Sequence, residues 1–127
     1  MFPILMKHLL LTTIAAVVLV GCGESKETTI WKATEDGDAS IVELLISLGQ
    51  DVNAKNDSGD TPLLRAVVFG RGEVANLLIS KGAKVNTKNK FGYTPLDMAI
   101  KLNKAKIADL IRKHGGKTGE ELKAEGK

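Results

Sequence analysis

Apolar residues in this chain fall on one side of short helices and then return in the same order thirty-three positions later. Val74, Leu77, Leu78 and Lys81 are spaced three, four and seven apart, as are Ile41, Leu44, Leu45 and Leu48, the spacing of one helix face. The step of thirty-three links Ala33, Ala66 and Ala99, and Gly49, Gly82 and Gly115. It also links Leu44, Leu77 and Leu110, and Ile41, Val74 and Ile107. Gly37 and Gly70 keep the step, with Asn103 in the third slot. Thr61-Pro62-Leu63 returns as Thr94-Pro95-Leu96, Gly59 as Gly92, and Val52-Asn53 as Val85-Asn86. Coincidence of so many positions at one spacing is the mark of a repeat protein, in which each unit needs its neighbours to cover its apolar side.

Each unit has a local reading. Thr61 and Thr94 are N-cap residues, and Pro62 and Pro95 sit at the first helical position, where no amide donor is needed. The helix that follows is predicted to run to about Phe69 or Leu102. Gly70 permits the left-handed turn that ends it, and Asn103 is the next best residue for that conformation. A second helix carries the apolar face described above and closes at Gly82. The chain then extends from Lys84 to Tyr93, turning near Gly59 in one unit and Gly92 in the next.

With these motifs in place the chain resembles the ankyrin-repeat family. The match is carried by Thr61-Pro62-Leu63, by Gly82-Ala83-Lys84-Val85-Asn86 and by Gly49-Gln50-Asp51-Val52-Asn53-Ala54. The family pattern runs Gly-x-Thr-Pro-Leu-His, then paired Ala, then Gly-Ala-Asp-Val-Asn-Ala. The resemblance covers Thr28 to Lys117 and implies an all-α solenoid of about three helix-turn-helix repeats with β-hairpin loops at right angles. The units are 28–55, 56–88 and 89–117, inside a repeat domain of 29–117. Three repeats are about the lower limit for an independent stack.

Departures from the pattern are informative. Leu64 and Asp97 replace the His, so the hydrogen bonds of that side chain are missing. Val67 and Ile100 replace the second Ala and are expected to fill more of the gap between helices. The first unit has Thr28-Thr29-Ile30-Trp31 in place of Thr-Pro-Leu-His and begins without a hairpin, with Trp31 read as a cap on the open N-terminal face. Residues 118–127 are polar; Thr118 to Glu121 has the spacing of a capping box for one further turn, but a solvated tail is the expectation.

The first residues belong to a different regime. Lys7 and His8 precede twelve uncharged residues, Leu9 to Val20, long enough for a signal-peptide core and short of the roughly 20 an ordinary spanning helix needs. The stretch ends in Leu19-Val20-Gly21-Cys22, which resembles the lipobox of bacterial lipoproteins. That resemblance implies a signal peptide over 1–21, diacylglycerol on the thiol of Cys22, cleavage before it, and a short linker over 22–28. The alternative is an uncleaved hydrophobic anchor with Cys22 as an incidental thiol. Met6-Lys7-His8 also has the form of a start, so either Met1 or Met6 serves. Six residues, Gly23 to Thr28, would hold the domain within about 20 Å of a membrane surface. Gly23, rather than Asp, favours the outer membrane under the sorting rule of enteric bacteria.

Composition adds limits. The chain is 127 residues long, 43% apolar and 26% charged, a globular balance with room for one ordinary domain. No acidic residue precedes Glu24, and Lys7 is the only Lys or Arg there. Beyond that point seventeen basic residues stand against fifteen acidic ones, too even a mixture for nucleic acid to be the main partner. One cysteine excludes an internal disulfide framework.

Candidate chemistry is thin. His114, the one histidine beyond the proposed signal peptide, falls at the end of a helix and reads as solvated rather than catalytic. Asp57 and Asp60 bracket Ser58 and Gly59 but lack the further acidic ligands of a calcium loop. Gly70-Arg71-Gly72 is too short to cradle a phosphate. No catalytic residue, metal or cofactor is assigned.

Recognition of a protein is the function that the family resemblance implies, through loop tips and the concave face of the first helices. Matched residue by residue, the second unit presents Asp57, Ser58 and Asp60 from its loop and Val68 and Phe69 from its helix. The third presents Lys90, Phe91 and Tyr93, then Lys101 and Leu102, with Lys55 and Lys88 opening the respective loops. Glu35 and Asp36 are the first-unit counterparts. Phe69, Phe91 and Tyr93 are three of the four aromatic residues beyond Cys22, read either as contacts or as cover over the small core. The expectation is a monomeric, lipid-anchored module of the bacterial cell envelope that holds one protein partner, as an accessory or immunity-type protein for an envelope enzyme or toxin. The alternatives are a small ligand-binding or hydrolytic lipoprotein, and a structural spacer.

Overall fold

The computed structural model describes residues 29–126; Cys22 and the proposed signal peptide lie outside them. Seven helices follow in order: α1 (Ile30–Asp36), α2 (Ala39–Ser47), α3 (Pro62–Val68), α4 (Gly72–Ser80), α5 (Pro95–Lys101), α6 (Ala105–Lys113) and α7 (Gly119–Ala124). No strand occurs among the described residues.

The helices begin where the sequence places stop-and-start chemistry. The hydroxyl oxygens of Thr29, Thr61 and Thr94 accept from the amides of Lys32, Leu64 and Asp97, three residues on. Asp97 returns the bond, its Oδ2 accepting from the amide of Thr94 at 2.9 Å, which completes a capping box. Asp97 thus supplies a hydrogen bond of its own at the place where the family's His stood. Gly37, Gly70 and Asn103 end α1, α3 and α5 with φ of 77°, 70° and 56°, the left-handed turn expected of that repeating position.

α1 pairs with α2, α3 with α4 and α5 with α6; along the stack α1, α3 and α5 form one row and α2, α4 and α6 the other. Small and branched residues fill the space between rows. Ile30, Ala33, Val42, Leu63, Ala66, Val74 and Leu78 form one buried cluster across the first two units. Val67, Leu96, Ala99, Ile107 and Ile111 form a second across the next step. The thirty-three-residue alanines let the helices approach, and the branched residues fill what remains.

The loops turn where predicted but are not β-hairpins. Two backbone bonds close each tip: the amide of Asn56 donates to the carbonyl of Asp60 at 3.1 Å and that of Gly59 to the carbonyl of Asn56 at 2.9 Å, with Asn89 to Tyr93 and Gly92 to Asn89, both at 3.0 Å, in the next loop. Two further amides in each loop go to a side chain: Asn56 Oδ1 accepts from Ser58 and Asp60, and Asn89 Oδ1 from Phe91 and Tyr93. A side-chain turn of this kind takes up the donors that a strand ladder would use. Adjacent tips meet through the amide of Lys90 and the carbonyl of Ser58, 3.2 Å apart, and a Cβ on Gly59 would come within 2.9 Å of that amide nitrogen. Glycine is needed there because the next loop lies against it.

The C-terminal segment corrects the expectation of a solvated tail. Residues 119–124 are the helix α7, capped by Thr118, whose Oγ1 accepts from the amide of Glu121 at 3.1 Å. Leu122 is buried, Gly119 N donates to Asp97 Oδ2 at 3.0 Å, and Thr94 Oγ1 donates to the carbonyl of Lys117 at 2.8 Å. One leucine and two polar tethers hold this single helical turn and a half against the third unit. Trp31 takes part at the other end, where its Nε1 donates to the carbonyl of Asp60 at 3.2 Å and its ring packs on the first cluster.

Candidate protein-binding surface

The large apolar side chains that stay exposed among the described residues are Phe69, Phe91, Tyr93, Ile100 and Leu102, and all five belong to the second and third units. Phe69 and Leu102 follow the last residues of α3 and α5, neighbouring helices of one row, so repetition places them at the matching C-terminal ends of the two helices. Phe91 and Tyr93 stand on the loop before α5. Phe91 is 67% exposed, and Phe69 and Tyr93 keep 43% and 37% of their surface in solvent, so each ring leaves a substantial apolar area uncovered.

Each ring carries a cation. The Arg65 guanidinium lies 4.9 Å from the Phe69 ring centre, Lys90 Nζ 5.6 Å from that of Phe91, and Lys101 Nζ 4.7 Å from that of Tyr93. Lys101 Nζ also donates to the Tyr93 hydroxyl at 3.3 Å. At Phe91 and Tyr93, a ring with a lysine beside it offers both a flat apolar contact and a partner for a carboxylate.

Arg65 is the hinge of a polar network that sequence reading missed. Its Nε donates to Glu35 Oε1 at 2.9 Å, its Nη2 bonds to the same oxygen, and its Nη1 lies 3.5 Å from Asp60 Oδ2. Asn89 Nδ2 donates to Asp60 Oδ1 at 3.2 Å, and Arg71 Nε to the carbonyl of Glu35 at 2.8 Å. Three successive units are joined by these groups. Asp60, assigned to the contact surface from its place in the loop, is only 8% exposed and is committed to Arg65 and Asn89. The half-buried arginine between two carboxylates explains why: an acid held out of water needs a charged, hydrogen-bonding partner, and Arg65 supplies it.

The other assigned positions divide in the same way. Asp57 is exposed at the loop tip, while Ser58 is half-buried with its carbonyl given to Lys90. Val68 is half-buried on α3. Lys88, Phe91, Tyr93 and Lys101 come together around an open groove of about 510 Å³, closed on one side by the start of α7. Ile100, expected between helices, is 50% exposed in that groove, whereas Val67, one repeat earlier, is fully buried. Residue type gives no signal of this difference; only position in the last unit does. Among the described residues no cluster of His, Cys, Asp or Glu is arranged to hold a metal ion, and no helix is long and apolar enough to cross a membrane.

The described residues place His114 at the end of α6, exposed. The family model for ankyrin repeats (3 copies) matches residues 5–89 and, in a second overlapping match, residues 30–121. A search of curated proteins finds no match.

Proposed function

The chain belongs to the ankyrin-repeat family, and from that premise we propose that it is a non-catalytic module that docks one protein partner on the surface described above. Ankyrin repeats are in general interaction modules, and protein binding is the role that membership implies. The observation that carries the reading here is that, among the described residues, the large exposed apolar side chains are confined to the second and third units, with a cation set on each ring. A stack that served only as a spacer has no use for five such residues in water.

The finer reading is that this module works at a bacterial envelope, tethered by lipid on Cys22, as a monomer that assists or blocks an envelope enzyme or toxin. It is supported by Leu19-Val20-Gly21-Cys22 after an uncharged stretch of twelve residues, and by the short linker before Thr29. One acyl chain gives marginal membrane binding and two hold stably, so diacylglycerol is sufficient as an anchor.

Two experiments test it. Membranes carrying the wild-type chain should yield a partner on gentle solubilisation and affinity capture, and replacement of Phe69, Phe91 and Tyr93 by Ala should abolish the yield; undiminished capture rejects the surface. Cys22→Ala should prevent lipid labelling and leave an unprocessed, longer chain; an unchanged processing pattern rejects the anchor.

A further inference from the structure

We propose that the C-terminal end of the α1-α3-α5 row is a seat for one amphipathic helix of a protein partner, with a carboxylate of that helix facing Lys101. The inference rests on the docking reading above and assigns it a second, chemically defined contact. Thr34, Val67 and Ile100 occupy the same place in successive units. α3 packs on α1 and α5 on α3; Thr34 and Val67 are fully buried, and Val67 packs with Leu96 and Ala99 of the next helix. Ile100 has no such cover and stands half-exposed in the groove beside α5. The groove is therefore the place that one more helix of the row would fill, and α7 leaves it open by lying along its edge.

Charge decides what kind of helix fits. From residue 61 to 126 thirteen Lys and Arg stand against six Asp and Glu, whereas residues 29–60 carry seven acids and two lysines. Lys88, Lys101 and Lys123 line the groove; of its two acids, Asp97 is already engaged by the amides of Thr94 and Gly119, which leaves Glu120. Such a surface attracts an acidic segment.

The repeat itself supplies the register. Where α3 meets α1, Arg65 is paired with Glu35. The counterpart of Glu35 at the open end is Lys101, so the occupant's residue in the place of Arg65 must be an acid. Leu63 and Ala66, the apolar pair of α3, are both buried in the first cluster. The seat therefore calls for the pattern Leu-x-Glu-Ala on one helix face. A second copy of this chain entering head-to-tail does not satisfy it, because Lys32 stands in the place of Arg65 and would oppose Lys101.

The test uses the full isotope-labelled chain in mild detergent and a stapled helical peptide of residues 61–70 carrying R65E, with the Arg65 peptide as control. The R65E peptide should shift the amide resonances of Gly92, Ile100, Lys101 and Gly119 and bind roughly three- to tenfold more tightly than the control, the range of one exposed ion pair gained and one repulsion lost. Lys101→Glu in the protein should reverse the preference, and Ile100→Glu should remove binding of both peptides. No shifts, shifts elsewhere, or equal affinity for the two peptides overturns the proposal. Concentration-dependent broadening of the same resonances without peptide means that a second copy fills the seat, and also overturns it. Loss of partner capture by the aromatic variants alongside peptide failure leaves the docking reading standing; peptide binding with undiminished capture sinks that reading alone.

Discussion

Thr34 is the one buried side chain among the described residues whose polar atom lacks a hydrogen-bond partner, and its replacement by Val gives a direct test of how the stack is held together. The residue is fully buried in α1, in the place that Val67 holds in α3. A hydroxyl removed from water without a partner costs about 1–3 kcal/mol, and a methyl group in its stead adds up to about 0.8 kcal/mol of apolar burial. Val has nearly the shape of Thr and the same branching at Cβ, so the helix loses nothing by the exchange. Val67 shows that an aliphatic side chain fits between successive helices of this row. Thr34→Val should therefore stabilise the domain by roughly 1–2 kcal/mol, which for a domain of this size raises Tm by about 5–10 °C. Val67→Thr should have the opposite sign and similar size. Urea and thermal unfolding, followed by circular dichroism and by the fluorescence of Trp31, the sole tryptophan, measure both. An unchanged or lowered Tm for Thr34→Val would refute the reasoning, since it would mean that the hydroxyl is satisfied and that its burial carries no cost.

Other consequences follow from single residues. Asn89→Ala removes two acceptor contacts that hold the loop before α5 and the donor to Asp60; it should cost about 2 kcal/mol, read as a lower urea midpoint, and a change below 0.5 kcal/mol by the same fit would deny the side-chain turn its role. Leu122→Ala should loosen α7 at a cost of about 2 kcal/mol, with amide exchange of residues 119–124 accelerating ahead of α5 and α6; uniform exchange would mean that α7 is not docked through Leu122. Lys32 has its pKa raised above 10.5 by the hydrogen bond from its Nζ to Asp36, 2.9 Å away, and by the charge of that carboxylate. Its ion-pair contribution is complete below the unfolded value and is lost as pH rises through the folded one. Because the pair is solvent-exposed, the effect should be read at the lysine itself. Asp36→Asn should return the midpoint of the Lys32 side-chain NMR titration toward 10.5, and an unmoved midpoint would remove Asp36 as the cause.

The sequence by itself determined the repeat and most of its local chemistry. The period of thirty-three, the Thr caps with Pro at the first helical position, and the left-handed turns at Gly70 and Asn103 are properties of a few consecutive residues, and local hydrogen bonds and φ preferences decide them without help from the rest of the fold. The tertiary structure alone decided which of several equivalent residues faces water. Val67 and Ile100 are interchangeable by pattern, yet one is covered by the next helix and the other ends the row. Asp57 and Asp60 share a loop, yet only Asp60 meets Arg65, because that arginine is brought in from α3. The docking of α7 likewise depends on Asp97 accepting from the amide of Gly119, twenty-two residues on, and on the burial of Leu122. Periodicity states what each unit resembles; burial depends on what stands beside it, and at the two ends of a finite stack that neighbour is different.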